Sequence, residues 1–137
     1  MTNYELRMTN SIRLIKAYFP AFAWLIAIVF LSTKGGVSMP SFDLFQTDKL
    51  AHAGAYALLT GLILWGTTRR TGSARWIHGV ATVLFASAFG ALMEWVQFRF
   101  FPDRFFEYDD MLANAIGALA GWWVFVWFFT TKSTKKY

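Results

Sequence analysis

Residues Glu94 to Asp110 read EWVQFRFFPDRFFEYDD. The stretch lies between two apolar segments, Ile77 to Met93 and Met111 to Thr131. A carboxylate, Glu94, and a carboxamide, Gln97, extend the first hydrophobic run, and the pair Asp109 and Asp110 leads into the second. Runs of about 20 mostly apolar residues are what a helix needs to cross a hydrocarbon core. Lipid offers the backbone no hydrogen-bond partners, so such runs cross as helices whose polar groups pair internally. The stretch therefore reads as the turn of a helical hairpin, with polar side chains set at its membrane-embedded shoulders.

Two further runs lie upstream, which gives four spans at about 12–32, 48–68, 77–98 and 111–131. Pro20 sits near the start of the first and removes one backbone donor there, a cause of kinks. No strand alternation or internal repeat competes with this reading. The composition agrees: 56% of the 137 residues are hydrophobic and only 15% are charged, against roughly a quarter charged in soluble chains. No stretch remains for a soluble domain. The expected fold is all-α, a polytopic four-helix transmembrane bundle forming one domain over residues 1–137. The segment LSTKGG after the first run has no small-residue cleavage site, so that run is read as an uncleaved span. The absence of cysteine excludes disulfides and thiolate zinc sites.

The net charge of +5 does not point to nucleic acid, because the basic residues flank apolar runs rather than form a groove with stacking aromatics. Arg7, Arg13 and Lys16 precede the first span, Arg69, Arg70 and Arg75 lie in the second loop, and Lys132, Lys135 and Lys136 follow the fourth span. The other two loops hold Lys34, Lys49, Arg99 and Arg104, and the third also holds the acids Asp103, Glu107, Asp109 and Asp110. The positive-inside rule then places both termini in the cytoplasm. Asp48, Lys49, His52, Glu94, Gln97, Arg104, Asp110 and Asn114 all fall near the opposite face.

Helical spacing aligns Asp48, His52 and Tyr56 on one face of the second span, and Ala86, Gly90 and Glu94 on one face of the third. Asp110, Asn114 and Ala118 do the same on the fourth, beside the small-residue stripe Ala113, Gly117 and Gly121. Small residues let membrane helices approach closely, so the polar side chains are expected to meet in a pocket between spans two, three and four. An ionisable residue inside a span is costly and faces a partner or a water-filled cavity. Glu94 then either contacts a ligand or proton, or locks helices by hydrogen bonds. His52, one turn after Asp48, either supports acid–base chemistry, binds a metal together with two carboxylates, or donates to a helical neighbour. Asp109 and Asp110 suit the N-terminus of a helix, but Asn114, one turn deeper, needs a partner across helices, as does Gln97. The Phe-rich segment 98–108 reads either as an interfacial flap in which Arg99 and Arg104 hold phosphates or as an aromatic belt. No nucleotide loop, zinc-protease or hydrolase motif is present. His52 with Glu94 and Asp110 has no fixed local spacing, so neither a metal nor a cofactor is assigned.

Two blocks, DKLAHAGAYALLTG from Asp48 to Gly61, and EWVQ, PDR and DMLANAIGALAG between Glu94 and Gly121, resemble the paired motifs of the VanZ-like membrane proteins. The resemblance covers about half the chain. It carries over Asp48, Lys49, His52, Tyr56, Glu94, Gln97, Arg104, Asp110, Asn114 and Gly117. The chain departs from the pattern in its Phe-rich third loop, where Phe105 follows Arg104. The resemblance implies a multi-pass protein of the bacterial plasma (inner) membrane linked to antibiotic resistance, chiefly tolerance of teicoplanin, a glycopeptide with a fatty-acyl chain that acts on cell-wall precursors.

Three expectations follow. The first is a binding module that engages an amphiphile from the outer leaflet, such as a membrane lipid, a lipid-linked cell-wall precursor or a lipoglycopeptide. Asp48, Lys49, His52, Tyr56, Glu94, Gln97, Arg104, Asp110 and Asn114 would line its site. The second is an intramembrane enzyme acting on an envelope lipid or glycan, with Glu94 or His52 as acid or base and Asp110 orienting its partner. The third is a structural subunit of an envelope complex.

Overall fold

The apolar runs fold as four helices: α1 (Asn3–Thr33), α2 (Leu44–Thr71), α3 (Trp76–Phe100) and α4 (Tyr108–Ser133). The structure is a computed structural model and describes residues 3–34, 44–101 and 104–133. There is no strand among the described residues. The expected loop at Gly35, Gly36 and Pro40, Asp103, and the last four residues of the expected C-terminal anchor lie outside them. Each helix contains a segment long and apolar enough to cross a membrane: Arg7–Thr33, Thr47–Thr71, Trp76–Phe100 and Tyr108–Phe129.

The helices outrun the hydropathic spans, most of all α1, which begins at Asn3 rather than near Ile12. Apolarity marks only the lipid-embedded part, whereas the backbone ladder continues into the polar zone. There Thr9 and Ser11 donate to the carbonyls of Glu5 and Arg7 at 2.8 and 3.0 Å. The helix also continues through Pro20. At the other turn of the same end, α2 stops at Gly72, whose φ of +69° suits glycine and whose N–H reaches the Thr68 carbonyl at 2.8 Å.

The molecule is inside-out relative to a water-soluble bundle. Large apolar side chains such as Phe22, Leu84, Ile116 and Trp123 are exposed in mid-helix. The interior is built from Ala86, Ala118, Leu59, Tyr56 and Ile28, together with the buried polar residues Thr60, Glu94, Gln97, Asp110 and Asn114. Between membrane helices there is no hydrophobic drive, so close backbone packing has to hold them. α2 and α4 pack most extensively and run parallel. A Cβ on Gly117 would overlap the backbone of Ala53, and one on Gly121 that of Ala57. The stripe expected on the fourth span is thus the seam against α2.

α3 runs antiparallel to α4, with Gly79 beneath the Trp122 indole and Gly90 against the Asn114 side chain. α1 runs antiparallel to α2. Its contacts are Tyr18 Oη to Thr67 Oγ1 at 3.1 Å and the Trp24 indole N–H donating to the Ala55 carbonyl at 2.9 Å. Asn3 and Ser133 therefore lie at one end of the bundle. Exposed Trp76 and the Arg69 guanidinium over Trp65, 4.4 Å from its ring centre, give that end an aromatic and basic rim of the kind that sits at headgroup level. Trp122 packs over Gly79, while Trp123 and Trp127 are exposed on the lipid side.

Candidate functional site

At the other end of the bundle, α1 and α3 finish while α2 and α4 begin. The first turn of α4 explains how the acids are distributed there. The N–H groups of Asp110 and Met111 reach the Glu107 carbonyl, so Glu107 caps the helix and Asp110 is its third residue. In a capping box, the third side chain reaches back to the N–H of the cap residue. Here that N–H donates to Glu94 Oε1 of α3 at 3.0 Å. Asp110 is left to face α2, where its Oδ2 lies 3.5 Å from His52 Nδ1. Asp48, one turn before His52, places its own Oδ2 4.0 Å from the same nitrogen. At the rim, Lys49 donates to Asp109 across the start of α2 and α4. Both aspartates also stand where a helix dipole favours negative charge.

The neighbouring polar groups brace the walls. Gln97 Nε2 donates to the Ser32 carbonyl at the end of α1, at 2.9 Å. Glu94, Gln97, Asp110 and Asn114 are each at most 5% exposed. Not all of them are satisfied: Asp110 Oδ1, Asn114 Oδ1 and His52 Nδ1 are buried without a hydrogen-bond partner. Such groups are costly to bury in a low-dielectric interior.

Beside them opens a cavity of about 700 Å³. Asp48, His52, Tyr56, Glu94, Gln97, Arg104 and Asn114 line it. Lys49 and Asp110 do not; one is turned to Asp109 and the other stands behind His52. The location differs from the expected pocket between spans two, three and four in one respect: α1 supplies a wall through Trp24, Ile28, Leu31 and Ser32. Trp24, Ile28 and Ser32 recur every four residues and share a face. That spacing was the available signal, and it is weak, because Trp and Ser are ordinary near span ends. Thr47 at the mouth carried no signal at all. At this end Phe106 makes edge contacts with Phe98 and Tyr108, centroids 5.8 and 4.9 Å apart. Phe105 points outward.

The lining is amphiphilic. Arg104 can meet an anionic group, the imidazole and carboxylates can accept or donate protons, and the α1 side is apolar. The two sequence blocks with family-like motifs are also the two that fold onto each other here, since Gly117 and Gly121 seat against Ala53 and Ala57. The sequence model of the VanZ/LLP1 family matches residues 1–129 of the chain. The chain belongs to the VanZ/LLP1 family. No match was found among curated proteins or among solved structures. This VanZ/LLP1 protein is thus a multi-pass, four-helix membrane protein.

Proposed function

We propose that this VanZ/LLP1 protein binds an anionic cell-envelope amphiphile in the cavity, with the polar end of the bundle facing outward from the bacterial plasma (inner) membrane. The observation that carries the reading is the mixed lining: His52, Glu94, Arg104 and Asn114 line the same cavity as Trp24, Ile28, Leu31 and Leu58. Pockets for small ligands typically combine apolar walls with a few convergent polar groups, in volumes of about 300–1,000 Å³. A lipid-linked wall precursor or the acylated glycopeptide teicoplanin has this division of chemistry, with a polar head that Arg104 can pair and a chain that the α1 wall can cover. Teicoplanin tolerance would follow if the protein holds the drug or its target.

The test compares teicoplanin and vancomycin susceptibility in a Gram-positive host carrying empty vector, wild type or Glu94→Gln at matched membrane abundance. Tolerance of teicoplanin but not vancomycin, lost in Glu94→Gln, is the expected result. No tolerance from well-folded wild type would detach this protein from the drug.

A second reading, an enzyme on an envelope lipid or glycan, is favoured by one observation: His52 stands between Asp48 and Asp110 on different helices. A carboxylate behind an imidazole orients it for proton transfer. Under that reading His52→Gln abolishes turnover of the bound amphiphile while leaving its binding in place; parallel loss of both would favour the binding module.

A further inference from the structure

We propose that Asp48, His52 and Asp110 bind a divalent cation at the mouth of the cavity. Each offers one ligand atom, and the three atoms lie within 4.8 Å of one another. The Asp–His separations are 3.5 and 4.0 Å. Ligands about 2.0–2.2 Å from a shared ion stand roughly 3–4.4 Å apart, so both separations suit a common ion. The Asp48 side chain is more than half exposed and can close the remaining gap by rotating.

Hydrogen bonding does not account for the arrangement. His52 Nδ1 is buried with no hydrogen-bond partner, and so is Asp110 Oδ1, on a side chain only 3% exposed. Buried carboxylate oxygens in folded proteins nearly always have partners. Glu94, the other buried carboxylate at this end, spends one oxygen on the Glu107 N–H, and Lys49 is engaged by Asp109. A cation held by His52 Nδ1 and the facing Oδ2 atoms of Asp48 and Asp110 would give that imidazole nitrogen the partner it lacks. Two carboxylates and one imidazole suit Mn²⁺ or Zn²⁺ rather than a soft, thiolate-seeking ion. Sequence spacing does not fix the ligand set, because Asp110 joins the pair Asp48 and His52 from another helix; the geometry puts Asp48, not Glu94, in the cluster with His52 and Asp110. Asp48 and His52 also line the cavity, so a headgroup phosphate or carboxylate oxygen bound there could reach a position left open on the ion. This use of the ion rests on the amphiphile reading; the ion's binding does not.

The test titrates metal-stripped protein in detergent micelles, without added lipid, with Mn²⁺, and reads the free ion by electron paramagnetic resonance. Wild type is expected to take up one Mn²⁺ per chain, displaceable by Zn²⁺. Asp110→Asn and His52→Gln are each expected to weaken uptake at least about tenfold, while Asp109→Asn, next door but outside the cluster, stays within about threefold. Gel filtration of each variant confirms folding, and His52→Gln carries the test should Asp110→Asn not fold. Absence of saturable uptake, or equal affinity in wild type and His52→Gln, would overturn the site and leave His52 beside its two carboxylates with no ion between them. Amphiphile binding assayed in chelator separates the proposals: binding that persists while Mn²⁺ uptake fails removes the metal alone.

Discussion

A carboxylate buried in a membrane bundle needs a donor, and Glu94 finds one in the backbone N–H that opens α4. Glu94→Gln keeps an acceptor in place and is expected to cost no more than about 1 kcal/mol of stability. Glu94→Leu strands the Glu107 N–H and is expected to cost about 1–3 kcal/mol. Unfolding in mixed detergent–SDS micelles, followed by tryptophan fluorescence, compares them; equal losses would show that this hydrogen bond is not what Glu94 contributes. Gln97→Leu releases α3 from the Ser32 carbonyl and is expected to cost about 0.6–2 kcal/mol in the same assay. The positions of Glu94 and Gln97 were legible from their place in an apolar run. Their partners were not, because a backbone N–H and a backbone carbonyl leave no mark in a sequence. Asp110 was legible as a helix-opening acid, but its approach to His52 depends on Glu94 taking over the capping bond.

At the scale of elements, the seam between α2 and α4 positions the site. It brings His52 and Asp110 from parallel helices to one level of the bundle. The stripe Ala113, Gly117 and Gly121 was visible from its spacing, whereas its partner face, Ala53 and Ala57, was hidden among the many alanines of the second span. Gly117→Leu drives a side chain into the Ala53 backbone. Overpacking of this kind costs about 1–3 kcal/mol where neighbours can shift, and more is expected here because the obstacle is main chain. Thermal unfolding by fluorescence-detected gel filtration should show Gly117→Leu largely lost from the folded peak. Leu119→Ala, on the exposed face of the same helix, should be close to wild type. Comparable loss in both would mean that the seam is not the constraint.

At the scale of the whole molecule, the spans could be read because hydropathy reports contact with lipid directly. The role of α1 as a cavity wall could not, since an apolar helix looks alike whether it faces lipid or a ligand. The antiparallel α1–α2 and parallel α2–α4 packing puts Asn3 and Ser133 at one end of the bundle, and the distribution of Lys and Arg predicts that both termini are cytoplasmic. Green fluorescent protein fused at either end should fluoresce, and alkaline phosphatase fused at the C-terminus should be inactive; active phosphatase there would turn the cavity toward the cytoplasm and away from envelope ligands.

The cavity's occupant is best tested by native mass spectrometry of the protein released from its own membranes, comparing wild type with Gly54→Trp. Gly54 lines the cavity, and a Cβ there meets no atom within 4 Å, so a side chain starts from this position in open space. The expected result is a wild-type chain carrying one anionic amphiphile through detergent exchange, and a folded Gly54→Trp chain without it. A wild-type chain that emerges bare, or a variant that retains the same adduct to the same extent, would contradict amphiphile binding in this cavity.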